Sequence, residues 1–143
     1  MTQQAVDLVN GEFVILDEGE LLWRQVPPGF LHDGQVGSDA FCPTAKDKGK
    51  LSTRRSSLMS AEEAYKDHVD RLGYQSVGAV SVSVKELNDQ GIRAIDDSAL
   101  PTSPPGHAYG DFRGLGNNRA RTIARKLKVA ALKRGFSFRP EDG

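Results

Sequence analysis

Four polar side chains are of the types that an active site uses, and they lie on three segments predicted to be strands. Arg24 is on the first, Ser52 on the second, and His107 and Asp111 share the third. Arginine binds phosphate or carboxylate, serine can act as a nucleophile, and a histidine beside a carboxylate is a common acid–base pair. No nucleophile elbow, Walker sequence or His-Glu-x-x-His pattern surrounds these candidates, so the sequence fixes no reaction.

Each of these residues also has a structural interpretation. An arginine within a strand can hold an anionic ligand or pair with an internal carboxylate, and we favour the internal pair for Arg24. A strand edge with outward polar side chains is the favoured interpretation of His107 and Asp111, because catalysis depends on a geometry that spacing does not show. His68 lies on the apolar face of a predicted helix, where a hydrogen-bonded core histidine is expected.

No pattern in the sequence indicates a metal ion or cofactor. Cys42 is the only cysteine, so neither a disulfide framework nor a zinc spacing is present, and a reducing compartment is expected. The adjacent Asp96 and Asp97 are interpreted as a turn. The first residues lack the regions of a secretory signal, and no apolar run approaches the ~18 residues of a membrane span. We therefore predict a cytoplasmic protein without membrane association, and make no prediction of its oligomeric state.

The charge of the chain is unevenly distributed. Lysine and arginine together number 19, as do aspartate and glutamate. Residues 112–140 nevertheless contain no acidic residue, and they include a predicted amphipathic helix. Such a row of cations can follow phosphates or dock on an acidic protein, although a solvated helix face is the plainer alternative. The candidate binding residues are Arg119, Arg121, Arg125, Lys126, Lys128 and Lys133.

The elements that would position these residues belong to an α+β fold, a mixed α/β single domain. Alternating apolar residues between turn signals predict a central sheet of about five or six short strands. Two main helices are predicted at 61–72 and 118–134, and one short helix at 84–90. The first and third of these begin with capping boxes at Ser60 and Ser83.

Two local connections are predicted as well. Strands at 12–16 and 21–26 could form a hairpin, and the strands at 51–55 and 76–84 could be joined through a helix as one crossover unit. The chain is expected to be one domain over 1–143, with long loops at 27–50 and 96–106 and a flexible tail at 140–143.

Two resemblances accompany these patterns. The sequence LxWRQVPP … PTxKDxGKLS, which starts at Leu21 and ends at Ser52, resembles a group of small bacterial proteins with no established activity. This implies a bacterial, self-contained domain and no catalytic role. A fainter likeness links the strands of Arg24 and Ser52 to ADP-ribosyltransferase-type toxins, although no Glu-x-Glu or final catalytic glutamate matches that class.

The leading hypothesis is a non-enzymatic bacterial binding or accessory protein whose basic C-terminal helix docks on an acidic protein partner or nucleic acid. One alternative is a small toxin-like enzyme with a pocket around Arg24, Ser52 and His107. Another is an immunity or antitoxin-like protein that uses its acidic segment 7–20 as the interface. The sequence leaves enzymatic activity undecided and favours its absence.

Overall fold

The computed structural model describes residues 6–140, except for the side chain of Ala45. Its centre is a six-stranded sheet in which all neighbouring strands are antiparallel. The strands of this sheet, in chain order, are β1 (Phe13–Val14), β2 (Leu21–Gln25), β5 (Lys50–Arg55), β6 (Ala79–Ser83), β7 (Ala94–Asp96) and β8 (His107–Asp111), and a separate hairpin pairs β3 (Leu31–His32) with β4 (Gln35–Val36).

The spatial order of the sheet is β1-β7-β8-β5-β2-β6. Three helices accompany it, so the predicted α+β fold is confirmed. Helix α1 spans Ala61–Lys66 and continues as a π-helical turn over Asp67–Arg71, α2 spans Val84–Asp89, and α3 spans Asn117–Arg134.

The two predicted capping boxes are confirmed. The backbone N–H of Glu63 donates to Ser60 Oγ over 3.1 Å, and the Ser60 N–H donates to the Glu63 carboxylate over 2.9 Å. Ser83 and Glu86 repeat the arrangement at the start of α2. These reciprocal bonds satisfy backbone donors that have no partner within the helix, which is why both helices begin at the predicted residues.

The two faces of the sheet have different coverings. Strand alternation puts Val80 and Val82 on the face that packs against Ile123 and Leu127 of α3, and all four side chains are fully buried or nearly so. The opposite face is covered by α1 and its π-helical turn, where Asp67 pairs with Arg54 of β5 at 2.8 Å. No helix within residues 6–140 has the length and apolar character to cross a bilayer.

The predicted hairpin between the first two strands is wrong. Strand β1 pairs with β7 at one edge of the sheet, whereas β2 lies between β5 and β6. The connecting turn is fixed elsewhere, since the carbonyl groups of Glu18 and Glu20 accept the N–H groups of Lys85 and Val84. The turn is therefore attached to the start of α2, and this directs β2 to pair with β6.

The predicted crossover is present with one strand inserted. Chain from β5 passes through α1 to β6, and β5 and β6 run parallel because both are antiparallel to β2, which lies between them. This arrangement places β2 and β5 side by side, with β2 one strand in from the β6 edge of the sheet.

Other boundaries differ modestly from the predictions. The predicted loop 27–50 contains the β3–β4 hairpin and three short 3-10 turns. Strand β7 was not predicted and takes up the start of the predicted loop 96–106. Near the C-terminus, Phe138 makes a single β-bridge with Ala79. Most of the predicted tail at 140–143 lies outside the described residues.

Candidate functional site

Helix α3 presents its cations to solvent. Its apolar stripe, which includes Ile123 and Leu127, is buried against the sheet, so the remaining faces point outward. Among residues 6–140, the only α3 side chain that pairs with a carboxylate is Arg134, whose Nη2 lies 2.7 Å from Glu86 Oε2. The predicted binding residues have no such partner: Arg119, Arg121, Arg125, Lys126 and Lys133 are exposed, and Lys128 is half-buried.

Two aliphatic side chains interrupt this cationic surface. Val129 is 60% exposed and Leu132 is 37% exposed. At 100° per residue, both lie on the solvent side of α3: Leu132 falls between Arg121 and Arg125 around the helix, and Val129 falls between Arg125 and Lys133. The outer surface of α3 therefore combines positive charge with apolar area, and we call it the α3 face. It comprises Arg121, Arg125, Lys126, Lys128, Val129, Leu132 and Lys133.

A cleft of about 760 Å³ opens where β2 and β5 stop pairing. Their ladder contains only two residue pairs and ends at Trp23 opposite Arg54. Beyond that point the guanidinium of Arg24 crosses the gap, and its Nη1 donates to the carbonyl of Ser52 over 2.9 Å. Arg24, Ser52 and His107, the three residues of the predicted enzymatic pocket, all line this cleft.

Arg24 has neutral partners rather than an internal carboxylate. Besides the bond to Ser52, its Nε donates to the carbonyl of Ala40 over 2.7 Å. No carboxylate of residues 6–140 lies within ion-pair distance of this guanidinium, so the favoured internal pair is wrong. Burial lowers the pKa of Arg24 to about 10, and the more distant carboxylate of Asp47 opposes that shift.

Ser52 and His107 do not form a nucleophile–base pair. The His107 Nδ1 lies 2.6 Å from Asp97 Oδ1, an arrangement that fixes the imidazole ring. The hydroxyl of Ser52, in contrast, makes no hydrogen bond within the described part of the chain, and Ser52 contributes only its carbonyl to the site. Ser52 and His107 thus line the same cleft, but they do not make the proton-transfer contact that catalysis would need.

Asp111 lies away from the cleft. Its buried carboxylate is held by Arg93 at 2.7 Å and by Arg113 at 2.8 Å. Burial raises the pKa of Asp111, but the hydrogen bonds from the two arginines outweigh this effect and lower the pKa overall. The Tyr109 hydroxyl donates to Glu12 instead of joining His107. The predicted His107–Asp111 face therefore does not assemble into one acid–base site.

Two further residues of the cleft carry unsatisfied polar atoms. Gln25 Nε2 and His68 Nε2 are the buried side-chain polar atoms of residues 6–140 that lack a hydrogen-bond partner. Burial, with smaller contributions from Arg54 and Arg24, lowers the pKa of His68 to about 4, so its ring is neutral near pH 7. The expected hydrogen-bonded core histidine is only half realised, because one ring nitrogen of His68 has no partner within residues 6–140.

No protein-family model, curated protein or solved structure matches the chain. Within the described residues, no group of three or more histidine, cysteine, aspartate or glutamate side chains is placed to hold a metal ion. The α3 face and the β2–β5 cleft are therefore the two surfaces from which function is inferred.

Proposed function

We propose that this protein is a non-enzymatic, cytoplasmic bacterial binding protein whose α3 face docks on an acidic protein partner. The observation that carries the proposal is a set of exposed cations without carboxylate partners among residues 6–140, arranged around exposed Val129 and Leu132. Cations that balance internal acids would be paired, as Arg134 is with Glu86. The α3 cations instead remain available to an external anion.

The apolar area favours a protein over a nucleic acid. Nucleic-acid affinity comes largely from cations that neutralise phosphates, and exposed aliphatic side chains add little to phosphate contacts. Protein interfaces combine an apolar centre with a polar rim. Exposed Val129 and Leu132, with cations such as Arg125 and Lys133 next to them on the helix, combine the same two kinds of surface. A fitting partner is an acidic amphipathic helix with leucine on one side.

A charge-reversal variant tests this proposal. Arg121, Arg125 and Lys128 are replaced together by glutamate, and affinity is measured by fluorescence anisotropy with a labelled amphipathic helical peptide of leucine and glutamate. Three surface pairs lost at roughly 0.5 kcal/mol each amount to about a ten-fold weaker affinity, and reversal adds repulsion. The matched control reverses three exposed cations elsewhere, Lys66, Lys85 and Arg139, and should bind within about two-fold of wild type.

A second variant separates the two classes of partner. Replacing Val129 and Leu132 with serine should weaken binding of the peptide but leave binding of a random DNA duplex unchanged. Tighter binding of the duplex than of the peptide would identify a nucleic-acid surface and overturn the proposal. So would unchanged peptide affinity in the charge-reversal variant. Loss of binding on reversal of Asp17 and Glu18 instead would point to the acidic segment as the interface.

A further inference from the structure

Arg24 differs from the other arginines of the interior. Four more are buried or half-buried, and each has a carboxylate within 2.8 Å. Arg24 alone among the buried or half-buried arginines of residues 6–140 donates only to carbonyl groups, those of Ala40 and Ser52. A guanidinium removed from water normally has an anion beside it, because the uncompensated charge is unfavourable there. The paired arginines are Arg54, Arg55, Arg93 and Arg113.

Two residues that line the cleft with Arg24 also carry the unsatisfied buried side-chain atoms of residues 6–140. Gln25 Nε2 and His68 Nε2 have no hydrogen-bond partner, and both residues line the cleft with Arg24. Buried polar atoms are nearly always satisfied, and exceptions point to a bound group. Three residues with incompletely compensated polar groups thus line one cavity of ligand size.

The charges around the cleft select a single negative charge. Arg54, which also lines the cleft, is neutralised by Asp67 at 2.8 Å. At the rim, Lys46 and Asp47 are neighbours of opposite charge, and Asp47 is held by Thr44. With Arg54 paired, Arg24, Lys46 and Asp47 together leave one net positive charge in the lining of the cleft, and Asp47 acts on Arg24 only from a distance. A dianion would bring a second charge without a buried partner, whereas a planar carboxylate matches both the charge and the guanidinium edge.

The walls of the cleft are suited to an apolar body. Trp23 is half-buried, and its Nε1 is already bonded to the Met59 carbonyl at 2.9 Å, so the indole offers its ring rather than a donor. Tyr74 is 60% exposed and lies with its ring centroid 5.2 Å from that of His68. Aromatic rings at this position can cover a flat apolar group.

We propose that the β2–β5 cleft binds a small organic carboxylate, with the carboxylate on Arg24 and an apolar or aromatic body against Trp23 and Tyr74. The site is separate from the α3 face and goes beyond the docking function proposed for it. Gln25 and His68, which line the same cleft, carry one amide nitrogen and one neutral ring nitrogen that have no partner within residues 6–140. The two carbonyl contacts of Arg24 keep the guanidinium in place before the ligand arrives.

The test is isothermal titration calorimetry of the full chain, which measures the affinity for acetate, benzoate and phenylacetate. Each carboxylate is compared with its neutral amide and with inorganic phosphate. We expect benzoate or phenylacetate to bind at least about ten-fold more tightly than the amide, as for a charge-assisted hydrogen bond. Acetate should bind more weakly than the aromatic acids. If none of the three carboxylates shows saturable binding, the proposal is overturned. Tighter binding of phosphate than of the carboxylates would overturn it as well.

Variants then locate the bound anion. Arg24→Gln should weaken benzoate binding at least about ten-fold, whereas Arg119→Gln, an exposed arginine of α3, should change it less than two-fold. If Arg24→Gln does not fold, Tyr74→Ala serves instead, because Tyr74 is exposed and its removal should still weaken benzoate more than acetate. Equal benzoate affinity in wild type and Tyr74→Ala would refute the proposed position. The α3 charge-reversal variant should bind benzoate normally, so this proposal and the docking proposal can fail separately.

Discussion

The buried ion-pair network around Arg55 gives the strongest stability prediction. Its guanidinium contacts Glu20 Oε1 at 2.6 Å and Asp96 Oδ2 at 2.8 Å. The carboxyl residues are only 7% and 2% exposed, respectively. Replacing Arg55 with methionine keeps most of the side-chain volume and leaves two buried carboxylates without a counter-ion. Breaking a buried pair in this way costs about 3–5 kcal/mol. Ser57 and Ser98 still donate to the carboxylates, so we expect a loss near the lower end, about 3 kcal/mol.

The predicted loss depends on pH in a defined direction. Burial raises the pKa of both Glu20 and Asp96, but hydrogen bonds from Arg55 and the neighbouring serines outweigh it and lower both pKa values. Their stabilisation of the wild type is therefore present above the unfolded pKa values of about 4, and it is lost as the pH falls through the lower folded values. In Arg55→Met the main opposing contribution is gone, so burial raises both pKa values. The destabilisation should be largest near pH 7 and shrink toward pH 3.

Urea denaturation followed by circular dichroism at several pH values measures this difference. Lys85→Met serves as the control, because Lys85 makes an exposed pair with Asp89 and its loss should leave the midpoint almost unchanged. A difference between wild type and Arg55→Met below about 1 kcal/mol at pH 7 would contradict the expected cost of unpaired buried carboxylates. A difference that stays constant with pH would refute the assignment of the loss to Glu20 and Asp96.

Three smaller perturbations test other local features. Ser60→Ala removes the capping box of α1 and should lower the free energy of unfolding by about 1 kcal/mol in urea denaturation. Gly78→Ala should cost more than about 1 kcal/mol, because φ is +150° and the new Cβ would lie 2.6 Å from the Phe138 carbonyl oxygen, whereas Gly29→Ala has open space and should stay within about 0.5 kcal/mol. NMR titration of His68 should give a pKa well below 6.5, and His68→Gln should flatten the loss of stability that wild type shows as the pH falls from about 6.5 toward 4.

The parts of the fold that follow from the sequence are those with local signals. Each capping box, at Ser60 and at Ser83, involves only four consecutive residues, and both helices begin where these patterns predict. The valine alternation of β6 likewise depends on one short segment. Such signals need no knowledge of distant partners, since backbone donors and one apolar face are satisfied within the element itself.

Strand pairing depends on partners far along the chain. Strand β1 pairs with β7, which has only three residues and no distinctive pattern. The sequence therefore predicted neither β7 nor its pairing with β1. The predicted hairpin assumed that sequential strands are neighbours, which is the usual arrangement. Contacts of Glu18 and Glu20 with the start of α2 override that preference here. These contacts join segments more than sixty residues apart.

The environment of Arg24 illustrates the same limit at the level of the site. An arginine with little access to water is expected to pair with a carboxylate. The β2–β5 ladder stops at Trp23 opposite Arg54, so the side chain enters a gap and meets the Ser52 carbonyl that a continued ladder would have used. The other acceptor of Arg24 comes from outside both strands, because the 3-10 turn Ser38–Phe41 supplies the Ala40 carbonyl. A charged side chain that completes the hydrogen bonding of a split sheet has fewer donors left for a ligand, but those donors are already fixed in direction. Ligand binding therefore depends on the cleft as a whole, and not only on the strand that bears Arg24.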